Sequence, residues 1–338
     1  MKSWFSARYC LVIVAVIALA GIAHQAQAVT LIPPSFEFSD VKPGEKIPTK
    51  VKVLNNEDEA VTLYSETAVF TPLDETGTPN IIPNSSTEDV AGWMKIAPGP
   101  FILQPGERLE VPVEINVPLD ADPGGHYGAV LFAANPPSAT TEGSQVAIAS
   151  KIAALVLVRV QGEVNESGTV ADFSTADGKT SYNRLPIGFS LRFENTGNVH
   201  IRPTGQITIR NMLGGTSTVV PVNSQKGAVL PSSTRKFTDA LVWEKRPQSE
   251  AKGNFFQEIG SEWRNFALGP YTANVILTYG QNNDKTTSAT VNFWVMPWRV
   301  LILTLIVLIL IIWLIGKLIR HYNQWIISRA SNPQAPRK

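Results

Sequence analysis

Residues 109–117 read Leu-Glu-Val-Pro-Val-Glu-Ile-Asn-Val, with an apolar side chain at every second position. Successive side chains of a β-strand point to opposite faces, so this alternation predicts a strand with one buried face and one solvated face. The same period recurs at 187–193 and 271–279, and turn-forming residues such as Lys42-Pro43-Gly44 separate the runs. Many short strands between such turns predict an all-β fold of the sandwich type.

The strand-like runs fall into two halves with the same order of parts. In each half an asparagine turn follows an early strand, at Asn55-Asn56 in the first and at Asn195-Thr196-Gly197 in the second. This weak repeat predicts two tandem immunoglobulin-like β-sandwiches, over residues 29–161 and 162–295. An insertion at 246–265 has no counterpart in the first half, and we expect a small helix or an exposed loop there.

A tyrosine follows a glycine-containing turn late in each half. Gly124 and Gly125 precede Tyr127, and the dipeptide at 269–270 precedes Tyr271. Immunoglobulin-like sandwiches often have a tyrosine corner at such a place, where the hydroxyl bonds back to the main chain. We therefore expect these two glycines and two tyrosines to be turn or corner residues, with a structural role.

The N-terminus has the pattern of a secretory signal peptide. Basic residues precede an apolar run at 11–22, and the small-residue pattern Ala26-Gln27-Ala28 follows it. This order predicts a cleaved signal over residues 1–28. Cys10, the one cysteine of the chain, lies inside this segment, so the mature protein is expected to have no disulfide.

A second apolar segment near the C-terminus predicts a transmembrane helix over residues 296–319. Residues 300–316 carry no charge, and about 20 apolar residues span a bilayer core. The tail, 320–338, has basic residues and no acidic ones, so the positive-inside rule places it in the cytoplasm. The prediction is a single-pass protein of a bacterial cell membrane, with the lipid bilayer as one partner and both sandwiches outside.

Charge separates the two halves of the exported region. Residues 29–161 carry 17 acidic and 8 basic side chains, a net charge of −9, whereas residues 162–298 carry 11 and 13, a net charge of +2. The whole chain has a formal net charge of +1, without the basic excess typical of a nucleic-acid-binding protein. We therefore expect no nucleic acid among the partners.

The sequence has no pattern typical of catalysis. His126 and His200 do not have metal-ligand spacing, and no Gly-x-Ser-x-Gly or phosphate-binding glycine motif occurs. Asp120 and Asp122 lie in a predicted turn, but the full calcium-loop pattern is absent. We expect no enzyme activity, no cofactor and no metal site.

Trp93 is the residue that leaves a binding role open. It lies between a polar loop and Pro98-Gly99-Pro100, at a place where either of two environments is compatible with the sequence. One is the core between the sheets, and the other is an exposed platform on which a sugar ring could stack.

Two further stretches resemble a known family. The string Phe-Glu-Phe-Ser-Asp-Val-Lys-Pro-Gly-Glu-Lys at 36–46, with 51–56 after it, resembles the start of the WxL-interacting-protein family of bacterial surface proteins. The strings at 103–107, 117–118 and 123–128 are similar to a later motif of that family. The resemblance implies a first module that binds peptidoglycan and a second that binds partner proteins, and no binding residue is transferred with it.

Two hypotheses of function follow. In the first, the protein tethers or binds an envelope partner, which is peptidoglycan or a surface protein, without catalysis. In the second, it is an immunoglobulin-like chaperone that donates a strand to an incomplete surface protein. The run 146–160 is the candidate donor, and its alternative role is an ordinary central strand of the sandwich.

Overall fold

The computed structural model describes residues 29–83, 90–134, 151–238, 240–245 and 255–330. The predicted signal peptide lies outside these ranges. The chain divides into two compact units, Met1–Leu73 with Thr78–Asn165, and Asp74–Gly77 with Glu166–Lys338. Strands dominate both units, which confirms the all-β prediction.

The first unit is a sandwich of two sheets. One, the β8 sheet, has the order β1-β3-β8-β6, and the other, the β10 sheet, has the order β2-β10-β9-β4-β5 with β7 also paired to β4. The elements are β1 (Thr30–Ile32), β2 (Ser35–Val41), β3 (Lys46–Leu54), β4 (Val61–Pro72), β5 (Pro79–Pro83), the one-turn helix α1 (Val90–Trp93), β6 (Met94–Ile96), β7 (Phe101–Leu103), β8 (Arg108–Asn116), β9 (Gly124–Ala133) and β10 (Lys151–Val160).

The core of this unit lies between the two sheets. Val111 and Ile115 of β8 are buried against Phe132 of β9 and Val156 of β10. The residues of β8 that alternate with the buried ones, such as Glu110 and Glu114, are exposed to solvent. The alternation at 109–117 is therefore confirmed as a strand with one buried face.

The second unit is also a sandwich. Its strands are β11 (Gly168–Thr175), β12 (Ser181–Tyr182), β13 (Ile187–Asn195), β14 (Thr204–Asn211), β15 (Thr216–Val222), β16 (Ser233–Phe237), β17 (Val242–Trp243), β18 (Gly269–Tyr279) and β19 (Lys285–Val295). One sheet has the order β11-β13-β16 with β17 beside β13, and the other has the order β12-β19-β18-β14-β15. Aromatic rings fill its centre, where Tyr271 stacks on Phe293 at 5.9 Å and meets Trp243 edge-on at 4.8 Å.

The asparagine turns of the two halves share one hydrogen-bond arrangement. The Asn55 amide donates to the carbonyls of Glu59 and Leu103, at 2.9 and 3.1 Å, and its side-chain oxygen accepts from the amide of Glu57 at 2.9 Å. Asn195 repeats this pattern in full in the second unit. Its amide donates to the carbonyls of Val199 and Val229, at 2.8 and 2.9 Å. Its side-chain oxygen accepts from the main-chain amide of Gly197 at 2.9 Å. The internal repeat of the sequence thus corresponds to a repeated structural device.

Two helices follow or interrupt the second sandwich. α2 (Phe255–Arg264) lies in the insertion predicted at 246–265, and residues 246–254 fall outside the described ranges. α3 (Trp298–Ala330) contains a stretch, Trp298–Ser328, that is long and apolar enough to cross a membrane, and the most apolar 18 residues within it have a mean hydropathy of 2.9. The helix continues past residue 319, so the first part of the predicted tail is helical as well.

Candidate functional site

Among the residues that the structure describes, the strand β10 has a free edge over part of its length. On one side it pairs antiparallel with β9 from Lys151 to Val160. On the other side it pairs parallel with β2, and that register begins only at Leu155, opposite Ser35. Residues 155–160 are therefore central in the sheet, as one of the two hypotheses for the run 146–160 expected, and 151–154 pair on one side alone among the described residues. Residues 146–150 lie outside the described part of the chain.

Proline ends the ladder between β2 and β10. The amide of Leu155 donates to the carbonyl of Pro34 at 3.0 Å, which is the first bond of the parallel ladder. Main-chain groups alternate in direction along a strand, so the N–H and C=O of Ala153 and of Lys151 point to the same side as those of Leu155. The next partner for the Ala153 carbonyl would be the N–H of residue 34, and a proline has none.

Apolar surface flanks this edge on both faces of the sheet. Ile152 packs against the main core of the first unit, on the inner face. On the outer face, Ala153 and Leu155 pack against a second, smaller cluster that has Ala129 and Leu131 of β9 at its centre. A segment that extended the sheet at this edge would thus meet apolar side chains above and below its main chain.

An ion pair crosses the outer face beside the edge. The Lys151 ammonium contacts the carboxylate of Glu66 on β4, two strands away, and the Glu66 side chain is mostly buried. In the register, Glu66 lies opposite Leu131, which in turn lies opposite Ala153. The pair fixes the first residue of β10 over the sheet, at the end of the free edge.

Trp93 lies in the core and not on the surface. Only 4% of the residue is exposed, and it belongs to the cluster between the sheets. Its ring lies 4.5 Å from the ring of His126, whose Nε2 donates to the carbonyl of Asp122 at 2.9 Å. A sugar platform needs an open ring face, so the structure supports the core environment for Trp93. His126 holds the turn before β9.

Gly124, Gly125 and Tyr127 belong to the strand β9 rather than to a turn. Gly124 has a φ of +127°, a backbone conformation that favours glycine. Gly125 lies opposite Arg159 of β10 in the strand register. A β-carbon on Gly125 would lie 1.9 Å from the Tyr127 hydroxyl, so the absence of a side chain there makes room for the tyrosine.

In the second unit the hydroxyl bond to the main chain is made by Tyr279 and not by the predicted Tyr271. Tyr271 lies in the aromatic core described above. Tyr279, at the other end of β18, donates its hydroxyl to the carbonyl of Gly168 at 2.8 Å. The signal available in the sequence was weak, because Tyr279 ends a strand before Gly280 and does not follow a turn.

A cavity of about 480 Å³ in the second unit contains titratable groups but no reactive set. Its lining includes Lys179, Tyr182 and Arg184. Hydrogen bonds from Lys179 and Tyr182 lower the pKa of Asp177 to about 2. Burial of the Tyr182 side chain, together with its hydrogen bond to Asp177, raises the pKa of Tyr182 to about 12. Neither group changes protonation near neutral pH, which general acid–base catalysis requires. Among the residues that the structure describes, no three His, Cys, Asp or Glu form a group suited to a metal ion.

No protein-family model and no curated protein matches the chain. Among solved structures it is similar to the class 5 fimbriae chaperone CfaA, with 16% identity, a TM-score of 0.38 and coverage of 78% of this chain and 98% of that one. It is also similar to the E. coli chaperone DraB, with 12% identity, a TM-score of 0.33 and coverage of 79% and 95%. The YadV chaperone matches with 9% identity, a TM-score of 0.35 and coverage of 78% and 99%. Because these TM-scores are below 0.5, the likenesses carry no argument about function, and the WxL-interacting resemblance stays a prediction.

Proposed function

We propose that this is a non-catalytic, membrane-anchored surface protein that binds an extended segment of an exported protein along the free edge of β10. α3 would anchor it in the cell membrane, with both sandwiches on the outer side and the C-terminus in the cytoplasm. The observation that carries the proposal is the pair of residues Lys151 and Ala153, whose main-chain groups face away from β9 with no β2 partner among the described residues. An exposed edge of this kind is a template for pairing with another chain.

The chemistry of such binding is strand addition. A partner segment would form main-chain hydrogen bonds with Lys151 and Ala153, which gives affinity without regard to sequence. Specificity would come from alternate side chains of the partner, since one face meets Ile152 and the other meets Ala153 and Leu155. The preferred partner is therefore a segment with apolar residues at every second position.

This mode of binding fits assistance in the assembly of a surface protein better than attachment to peptidoglycan. A strand edge recognises a polypeptide main chain, and a segment that still lacks its own neighbour strand is the natural occupant. The sugar-binding part of the tether hypothesis has lost its candidate platform, because Trp93 is buried. Tethering of a surface protein through the same edge remains the second form of the proposal.

The experiment uses a photo-crosslinking amino acid at position 152 of the full-length protein in the cells that make it. We expect crosslinks to an exported protein, mapped by mass spectrometry to a segment of alternating apolar residues. Ala153→Pro removes the outward N–H and should abolish the crosslink, whereas Ala153→Ser keeps the N–H and should retain it.

Two results would contradict the proposal. The first is a crosslink that survives Ala153→Pro, and the second is a captured segment that is helical or polar throughout. Deletion of the gene separates the two forms of the proposal. An assembly role predicts loss of the folded surface protein, and a tether predicts its release in folded form.

A further inference from the structure

Exposed aromatic side chains lie on α2, at the end of β19 and at the start of α3 in the second unit. On α2, Trp263 is 67% exposed and Phe255 is 57% exposed. Trp294 at the end of β19 and Trp298 at the start of α3 are also exposed. Large apolar side chains that remain exposed together mark a surface that another phase or another molecule covers.

The apolar and acidic residues of α2 occupy adjacent sides of the helix. Phe255, Ile259 and Trp263 are spaced at four-residue intervals, so they lie along one side. Glu258 and Glu262, also four apart, lie along the neighbouring side, and Glu262 comes two turns after Phe255 at nearly the same angle around the helix axis. The helix is therefore amphipathic over its ten residues, and Trp263, which is farthest from the two glutamates around the helix axis, is exposed.

The acidic side fastens α2 to the first turn of α3. The Arg299 guanidinium donates to Glu262 at 2.8 Å and contacts Glu258 at 2.6 Å. The other oxygen of Glu262 accepts from the main-chain N–H of Val300 at 3.2 Å, and both Glu262 and Val300 are buried. A carboxylate at a helix N-terminus is favourable because it satisfies an N–H that has no partner within the helix.

This contact sets the depth of α2 relative to a membrane. The uncharged part of α3 begins at Val300, directly after Arg299 and Trp298. If α3 spans a bilayer, Trp298 lies at the headgroup level, where tryptophan is enriched. α2 is within one arginine side chain of that turn, so it lies at the same level.

We propose that α2 is an interfacial helix that lies on the lipid surface beside the N-terminal end of α3, with Trp263 and its neighbours in the headgroup region. This inference rests on the proposed membrane anchoring. The occupant of the aromatic face is the bilayer itself, because α2 is fixed at the point where the apolar helix begins. Such helices insert their apolar face about 5–10 Å into the boundary between headgroups and acyl chains. The consequence is a second contact with the membrane, which would limit rotation of the second unit about α3.

The test places single cysteines in the full-length chain, with Cys10 replaced by serine, in phosphatidylcholine vesicles. An environment-sensitive fluorophore is attached at Trp263→Cys, at Ile309→Cys in the middle of α3, and at Leu213→Cys in an exposed turn that is 86% exposed. Nitroxide lipids with the spin label at the headgroup or near the end of the acyl chain act as quenchers of known depth.

We expect the probe at 263 to have blue-shifted emission and to be quenched more strongly by the headgroup nitroxide than by the deep one, as an insertion of about 5–10 Å requires. The probe at 309 should be quenched mainly by the deep nitroxide, and the probe at 213 by neither. Added Glu262→Gln should weaken the attachment of α2 and reduce quenching at 263 while quenching at 309 stays.

The outcomes separate the two proposals. If neither nitroxide quenches the probe at 263 while the deep nitroxide quenches the probe at 309, the interfacial helix is refuted and the membrane anchor stands. A protein partner as the true occupant would give this same result, because the vesicles contain only lipid. If 309 is not quenched by the deep nitroxide, the anchor itself is refuted, and the interfacial helix with it.

Discussion

Replacement of Asn195 by alanine tests the device that the two sandwiches share. The side chain is fully buried and makes three hydrogen bonds to the main chain, at 2.8, 2.9 and 2.9 Å. Each such bond contributes about 1 kcal/mol net, and the partners left without a bond add a desolvation cost, so we expect a loss of about 3 kcal/mol. For a unit of this size that loss corresponds to a fall in Tm of roughly 10 °C.

The assay is thermal unfolding of the full-length protein in detergent, followed by near-ultraviolet circular dichroism. Thr196→Ala is the matched control, because Thr196 makes one exposed hydrogen bond to Ser167 and should change the free energy of unfolding by less than about 0.5 kcal/mol. Asn55→Ala should destabilise the first unit by the same order as Asn195→Ala destabilises the second. A loss below about 1 kcal/mol for both asparagines would refute the claim that they fix the turns.

Two further perturbations test the second unit. Tyr279→Phe removes the hydroxyl that donates to the carbonyl of Gly168. In a urea titration, the free energy of unfolding should be about 1 kcal/mol lower than that of the unchanged protein. An unchanged free energy of unfolding would mean that water replaces the bond. Asp177 is ionised in the folded state down to a pKa of about 2, because Lys179 and Tyr182 donate to it. The unfolded state, with the ordinary pKa of 3.8, takes up that proton first, so the stabilisation is complete above about pH 5 and is lost progressively as the pH falls towards 2. Asp177→Asn should flatten this part of the curve of urea midpoint against pH, and an unaltered slope would show that Asp177 does not cause it.

The architecture of the sandwiches could be predicted from the sequence, because strand alternation is a local signal. Val111 and Ile115 are buried and Glu110 is exposed, as the period of two requires. The asparagine turns were also visible as a repeat. The hydrogen bonds of these turns could not be predicted, because each asparagine amide donates to a carbonyl far along the chain. The Asn55 amide, for example, donates to the carbonyl of Leu103. Long-range partners of this kind leave no mark on local composition.

The candidate site was only half predictable. The run 146–160 was recognised as a strand of special interest, but whether it is central or open depends on where its neighbour begins. The pairing of β2 with β10 stops at Pro34, because a proline has no N–H to donate to the carbonyl of Ala153. Trp93 shows the opposite problem, because its local sequence favours a core position but is also compatible with a surface platform. Burial is decided by the sheet that packs above it, and not by its neighbours in sequence.

The central claim, a free edge on β10, is tested most directly by amide hydrogen exchange in the full-length protein without a partner. Ile152 and Ala154 have main-chain groups that face β9, so we expect their amides to be protected. The amides of Lys151 and Ala153 face the open side and should exchange much faster, in strict alternation with the other two. Equal protection at all four positions would show that the edge is already covered, and strand addition at β10 would then have no place to occur.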